Sequence, residues 1–280
     1  MGILYLVATP IGNLEDITLR ALRVLREVSL VAAEDTRQTK KLLTHYGIDK
    51  PLISYYEHNK LSRLQVILSH LQEGDVALVS DAGTPGLNDP GYELVKSAIE
   101  HGFRVYPVPG PASPIAALVG SGLPTDAFLY LGYLPRKQKD RRERIAQIRD
   151  EPYTVLFLET PHRLRDSLKD LLDILGNRSA VIARELTKIH EEFLRGTLHD
   201  LIQHFDQTEP LGEFVVLVAG ASKLEKTWNE EQVLEVFQRE FTGNISLKTF
   251  AEQLAQVSGW KKNDLYRLFL EQKKNQGTIK

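Results

Sequence analysis

The stretch VALVSDAGTPGLNDPGYELVKSAIEHG, Val76 to Gly102, limits most sharply what this chain can fold into. It opens with Val76-Ala77-Leu78-Val79, a run too short for a helix and apolar on both faces. Such a run suits a strand buried in a parallel sheet. The pattern then predicts a helix. Asp89 is a good N-cap, Pro90 suits the first helical position, and Leu94, Val95, Ala98 and Ile99 form one apolar stripe closed by Gly102. Between strand and helix lies SDAGTPGLNDPG, with three glycines, two prolines and two aspartates. Open α/β sheets bind ligands beyond the carboxyl ends of their strands. A loop of this length in a compact domain points to function, the alternative being an ordinary βα turn.

The same alternation runs through the first half of the chain. Ile3 to Ala8 reads as a buried strand, followed by the turn TPIGNLED, Thr9 to Asp16. Thr18 or Asp16 caps a helix whose stripe is Ala21, Leu22, Leu25 and Val28. A short strand, Leu30 to Ala33, ends in EDTR, Glu34 to Arg37. That tetrapeptide reads equally as a polar pocket rim or as a helix start capped by Asp35 or Thr36. Leu52-Ile53-Ser54 is a strand, and Leu61 to Leu71 a helix. Phe103 to Val108 is a further strand, and PGPAS, Pro109 to Ser113, turns into a helix through Ile115, Ala116, Leu118 and Val119. Strands alternating with helices imply a parallel α/β domain. Its strand-end loops Thr9–Asp16, Ser80–Gly91 and Pro109–Ser113 then leave one sheet edge together and can line one cleft. No GxGxxG follows a strand and no GxxxxGK[ST] occurs, which argues against the common dinucleotide fold and the P-loop NTPases.

GSGLPTDAF, Gly120 to Phe128, is rich in turn formers and marks a boundary: residues 1–119 form one α/β domain and 120–222 a second. In the second, strand Thr154 to Leu158 ends in ETPHR and strand Ala180 to Ala183 ends in RELTK. Glu159, His162, Arg163, Arg184, Glu185 and Lys188 therefore crowd strand ends. Pro135 to Arg149 carries seven basic residues, Arg141, Arg142 and Arg144 among them, against Asp140 and Glu143. It is either a solvated helix face or a phosphate-binding surface. From 223 to 280 the pattern is helical only. Asn229 and Ser246 are caps, Gly259 is a terminator, and the last stretch is basic. This segment reads as a helix-turn-helix-like nucleic-acid-binding appendage, or as a dimerisation or lid module.

Net charge of −2 gives no global polyanion signal. The absence of cysteine removes disulfides, thiolate chemistry and Cys-type zinc sites, and no His or carboxylate pair has metal-ligand spacing, so no metal is expected. No apolar run approaches a membrane span and no signal-peptide pattern opens the chain, so a cytoplasmic protein is expected.

The loops VATPIGNLEDIT, VSDAGTPGLNDPG and PVPGPASPIAALVGSGLP resemble those of the tetrapyrrole methylase family, the class III S-adenosylmethionine-dependent methyltransferases. AEDTRQTKKLL, FLETPHRL and ARELTKIHEEFLRG resemble the branch of that family that 2′-O-methylates the ribose of a cytidine in 16S rRNA of the small ribosomal subunit. The resemblance covers essentially the whole chain. It implies two α/β domains with S-adenosyl-L-methionine held between them, and a homodimer. Positions matching the family's cofactor loops are Pro10, Ser80, Asp81, Ala82, Gly83, Thr84, Gly110, Ala112 and Ser113. Under this resemblance Asp35, Glu159, Glu185 and Lys188 are candidates for catalysis, with Glu34 and His162 as further candidate bases. Arg37, His162, Arg163, Arg184 and the Arg141, Arg142, Arg144 run are candidates for holding RNA. The residues themselves do not choose the base. A methylase of a tetrapyrrole carbon and a diphthine-synthase-like protein methylase would share the same cofactor loops.

Overall fold

Five short apolar runs of the first half become parallel neighbours in one sheet of the computed structural model, which describes residues 2–221, 228–243 and 245–277. They are β1 (Ile3–Val7), β2 (Leu30–Ala33), β3 (Leu52–Ser54), β4 (Val76–Val79) and β5 (Arg104–Val108), in the order β3-β2-β4-β1-β5. Every pair is parallel. β4 is buried along its whole length, as a strand covered on both faces must be. Helices α1 (Leu19–Glu27) and α2 (Thr36–His45) supply Val24, Leu25 and Leu43 to one core, which includes Val7, Val31 and Val79. Helices α3 (Lys60–Glu73) and α4 (Tyr92–Glu100) supply Ile67, Leu71 and Leu94 to the other, with Leu4, Ala32 and Leu78. Because β1 lies between β4 and β5, the three Gly/Pro-rich loops that follow these strands leave the same edge side by side.

The second half departs from a simple repeat of that pattern. Strands β6 (Phe128–Tyr133), β7 (Thr154–Glu159), β8 (Ser179–Arg184), β9 (Glu192–Thr197) and β10 (Phe214–Val218) form a mixed sheet, ordered β6-β7-β10-β8-β9. Only β6 and β7 pair in parallel. β10 runs antiparallel between β7 and β8, and its first residue, Phe214, is in register with both Glu159 and Arg184. One sheet edge therefore carries the ends of β7 and β8 and the start of β10. Helices α6 (Gln138–Gln147), α7 (Pro161–Leu175) and α8 (Leu198–Gln207) cover one face through Ile145, Leu164, Leu168, Leu201 and Phe205. The other face receives α5 (Ser113–Ser121), whose Ala117 and Leu118 pack with Leu156, Val181 and Leu217. The last helix of the first half thus helps to cover the second sheet.

Two local expectations shift. α4 begins at Tyr92 behind Gly91, with no side-chain cap, so Asp89 and Pro90 stay in the loop. A Cβ on Gly91 would lie 3.1 Å from the Gly86 backbone, so the loop folds tightly on itself where the helix starts. The stripes of α4 and α5 are also narrower than their sequences suggest, with Ile99, Ile115 and Val119 exposed. At EDTR, Asp35 caps α2, its carboxylate accepting from Arg37 N–H at 2.8 Å.

The chain separates into two compact units, Met1–Gly220 and Ala221–Lys280. The boundary expected at 222, and Lys280 of the basic tail, lie outside the described residues. In the second unit α9 (Glu230–Glu240), α10 (Leu247–Ser258) and α11 (Lys262–Gly277) share a core of Val233, Phe237, Phe250, Leu254, Leu265 and Phe269. Asn229 and Ser246 cap α9 and α10, and Gly259 ends α10 in the left-handed region. No helix among the described residues is long and apolar enough to cross a membrane.

The basic run on α6 is partly consumed inside the domain. Arg141 is buried and pairs with Asp170 of α7 at 2.7 Å, and Arg142 bridges Asp170 and Asp173 at 2.6 and 3.0 Å. Removing one partner of a buried pair strands the other charge. Asp170→Ala is expected to destabilise the fold by about 3–5 kcal/mol, read as a lower denaturation midpoint. A change below about 1 kcal/mol would place this pair among ordinary surface contacts.

Candidate active site

Backbone pairing fixes the first wall of the site. Thr9 N–H donates to Gly83 O at 2.9 Å and Gly83 N–H donates to Thr9 O at 3.1 Å. The Thr9 hydroxyl adds a bond to Ser80 O at 3.1 Å, and the Thr84 hydroxyl donates to Pro111 O at 3.0 Å. The three strand-end loops are thereby stitched into one ledge. Gly83 has φ +88°, a conformation that penalises any side chain. Gly110 lets its loop lie against β1's end, since a Cβ there would sit 2.9 Å from Ala8 Cβ.

Across the cleft, loops of the second sheet meet this ledge closely. A Cβ on Gly12 would fall 2.5 Å from Lys188 Cγ and 2.9 Å from Leu186 O. The Asn88 side chain reaches over Gly132 of β6. Outside glycine, the described residues with positive φ are Asn88, Glu185 and Thr187, at 67°, 49° and 64°. All three lie in these facing loops. Strain of this kind persists only where surroundings enforce it, and it gathers at functional sites.

Between the two walls is a cavity of about 320 Å³. The first half contributes Ile11, Glu34, Asp81 to Thr84, Leu87 to Asp89, and Ala112 to Pro114. The second contributes Tyr130, Tyr133, Leu158 to Pro161, Ala183, Leu186 and Gly212 to Val215. One wall is acidic. Asp35 N–H donates to Asp81 Oδ1 at 3.0 Å, and Asp81 N–H reaches Glu34 Oε2 at 3.4 Å. Burial raises the pKa of both Glu34 and Asp81 above the ordinary carboxylate range. Asp89 is pushed up to about 6, first by burial and then by Glu34, against a hydrogen bond from Ser80. The opposite wall combines an apolar stretch of Leu158, Ala183, Leu186 and Val215 with two phenols, Tyr130 and Tyr133, and two carboxylates, Glu159 and Glu213. Tyr130 Oη is buried without a hydrogen-bond partner, and burial lifts its pKa to about 12. A neutral donor awaiting an acceptor is costly to leave buried, so it marks a place where a ligand atom belongs.

The residues expected from sequence divide among several settings. Asp81, Ala82, Gly83, Thr84, Ala112 and Ser113 line this cavity, as does Glu159. Pro10 and Ser80 line a neighbouring one that Asp81 shares. Gly110 acts through close packing. Asp35 is held near pKa 2 by hydrogen bonds from the Arg37 side chain and backbone, and Arg37 itself projects into solvent. Glu159 accepts from Ser167 Oγ at 2.6 Å and pairs with Arg163 at 3.3 Å. Arg163 in turn donates to Leu134 O at 2.6 Å, and His162 is exposed. Arg184 donates to Leu211 O at 2.7 Å. Glu185 is raised by burial, but Glu213 N–H and Lys188 outweigh this and leave it below its ordinary pKa. Lys188 bridges Glu185 and Glu213 at 3.0 and 3.2 Å. Arg141 is enclosed by its pair with Asp170, whereas Arg144 remains exposed. Asp89, Tyr130 and Tyr133 are site residues that the sequence analysis did not single out. Asp89 sits where an Asp-Pro pair signals a helix cap, and Tyr130 and Tyr133 lie on β6 with no neighbouring motif to mark them. Among the described residues no cluster of His and carboxylates could hold a metal.

This architecture defines a class. The chain belongs to the tetrapyrrole (corrin/porphyrin) methylases, whose family model matches residues 3–202. Its relatives include proteins named ribosomal RNA small subunit methyltransferase I. One from Halalkalibacterium halodurans is 46% identical over 273 residues, covering 96% of this chain and 94% of its own length. One from Escherichia coli O157:H7 is 46% identical over 277 residues, covering 97% and 96%. One from Thermotoga maritima is 49% identical over 221 residues, 79% of this chain but 99% of its own length. The fold also matches cobalt precorrin-4 methyltransferase, with a TM-score of 0.56 and 16% identity over 78% of this chain and 94% of that one. It matches a Thermus thermophilus uroporphyrin-III C-methyltransferase complexed with S-adenosyl homocysteine, with a TM-score of 0.52 and 22% identity over 77% and 97%.

Tyr130→Phe separates a ligand-facing phenol from a structural one. Removing an unpartnered buried hydroxyl is expected to leave the melting temperature unchanged or higher, while ligand affinity falls roughly tenfold, the worth of a hydrogen bond. A lower melting temperature with unaltered affinity would assign the phenol to the fold.

Proposed function

We propose that this chain is an S-adenosyl-L-methionine-dependent methyltransferase that 2′-O-methylates the ribose of a cytidine in 16S rRNA of the small ribosomal subunit. The observation that carries the reading is near-full-length identity of 46% to proteins named for that subunit's RNA, joined to a cleft built for such a donor. The cleft fits the donor's chemistry. Its acidic wall of Glu34, Asp81 and Asp89 complements a sulfonium and an ammonium. The Asp81–Thr84 and Ala112–Ser113 backbones form a polar ledge for the amino-acid tail, and Leu158, Ala183, Leu186 and Val215 form an apolar bed for an aromatic base. When bound, the donor supplies an electrophilic methyl group.

The protein's own part is positioning and proton removal. Methyl transfer to oxygen is an in-line displacement, in which holding the acceptor in place supplies much of the rate. The hydroxyl proton must leave during or after attack, and a carboxylate with a raised pKa is suited to take it. Asp89 is that carboxylate. The Glu159 and Glu185 carboxylates are tied into ion pairs with Arg163 and Lys188, which makes them positioning residues. The reaction belongs to the Met1–Gly220 unit, a reading supported by the family model, which matches residues 3–202 and so falls wholly within that unit. RNA phosphates would meet the exposed Arg136, Lys137 and Arg144 beyond the cavity-lining Tyr133. Exposed apolar residues Ile99, Tyr106, Ile115 and Val119 support association into a homodimer, and a small-subunit RNA substrate supports a cytoplasmic location.

The reading is tested by incubating the protein with S-adenosylmethionine and undermethylated small subunits, then analysing the released nucleosides. 2′-O-methylcytidine is expected, and methyl on a base or on no nucleoside would overturn it. A base with pKa about 6 works only when deprotonated. Turnover is therefore expected to rise with pH through about 6 and then level off, with Asp89→Asn losing turnover and this limb. An unchanged profile in Asp89→Asn would remove Asp89 from proton transfer.

A further inference from the structure

Asp81 lines a second cavity as well as the first. This one, of about 380 Å³, is bounded by Thr9, Pro10 and Ser80 and by one face of α2. Its size falls within the range of pockets that take small ligands, ~300–1,000 Å³. Gln38, Lys41, Leu42 and His45 all belong to its wall, and their spacing of three and four residues puts them on one side of the helix. Lys41 has no ion pair among the described residues, and its ammonium touches only Gln38 Oε1, at 3.3 Å. Its neighbour Lys40, by contrast, is neutralised by Asp49 at 2.7 Å.

The two cavities have opposite electrostatic character. Glu34, Asp81 and Asp89 make the first a place for a cation and a poor one for a phosphate. An RNA acceptor carries a phosphate on each side of the reacting ribose, so it needs a separate approach to the reacting atoms. We propose that the second cavity seats the acceptor nucleotide, with its phosphate on Lys41, Gln38 and His45 and its ribose turned to Asp81, which lines both cavities. Donor and acceptor then enter from different sides of one carboxylate, and the phosphate stays away from the acidic wall. This inference rests on the RNA-methyltransferase reading and assigns the acceptor subsite within it.

The test uses full-length protein carrying Lys41→Gln, His45→Ala or Lys41→Arg, with S-adenosylmethionine titrated calorimetrically and methylation of small subunits followed at several salt concentrations. Lys41→Gln is expected to raise KM for subunits roughly tenfold, the worth of a charge-assisted hydrogen bond. It should also flatten the salt dependence of kcat/KM by about 0.7 in log–log slope, the value for one phosphate contact to a single strand. His45→Ala should raise KM in the same direction, Lys41→Arg should restore the slope, and cofactor affinity should be retained throughout. Unchanged KM and slope in Lys41→Gln would overturn the proposal while leaving the enzyme reading intact. So would loss of cofactor affinity in place of subunit affinity. A wild-type protein that binds cofactor but methylates no subunit would overturn both.

Discussion

The reciprocal backbone pairing of Thr9 with Gly83 is the constraint on which the site depends. Parallel pairing puts the loops after β1, β4 and β5 on one edge, but adjacency alone does not make a binding surface. The two backbone bonds, together with the Thr9 and Thr84 hydroxyls, fasten those loops to one another. Asp81 to Thr84 and Ala112 to Pro114 of these fastened loops then line the cleft. Gly83 is required because its φ of +88° turns the chain back toward β1 without a side chain in the way. Gly12 does the complementary work across the cleft by allowing the first turn to lie against the Leu186–Lys188 backbone and side chains.

A second consequence of this framework is the separation of charge. β2 and β4 are neighbours, so the carboxylates that follow them, Glu34 and Asp81, are brought together by sheet order rather than by attraction. Backbone N–H groups of Asp35 and Asp81 compensate part of the repulsion. Burial then holds Glu34, Asp81 and Asp89 above their ordinary pKa, in readiness for a cation. α2 begins immediately beyond this wall and carries Lys41 on the face that lines the neighbouring cavity. An acidic chamber and a basic helix face thus follow from one strand-to-helix connection, Glu34 to Arg37.

Much of this frame was legible in the sequence, because period and punctuation report local structure. The runs Val76–Val79 and Leu30–Ala33, the Gly/Pro-rich loops, and the caps Asn229 and Ser246 all appear where the chain signals them. The mixed order of the second sheet was not legible, since the pattern of β10 says nothing about whether it runs antiparallel between β7 and β8. Asp89 shows why site residues are harder. Asp followed by Pro before an apolar stripe is the usual signature of a helix start, yet the carboxyl turns to Ser80 and the cavity, and Gly91 starts the helix. Arg141 shows the converse. A basic run looks solvated until the fold places Asp170 beside it. Tyr130 was invisible because only the opposing wall makes its hydroxyl an orphan.

The central claim is that the cofactor lies between the two sheets on the ledge that Thr9 and Gly83 secure. A crystal structure with S-adenosylhomocysteine tests this most directly. The account predicts the ligand in the cavity bounded by Asp81 to Thr84, Ala112 to Ser113, Ala183 and Leu186, with one of its polar atoms on Tyr130 Oη. Density for the whole ligand outside that cavity, against α2 or on either half alone, would contradict it.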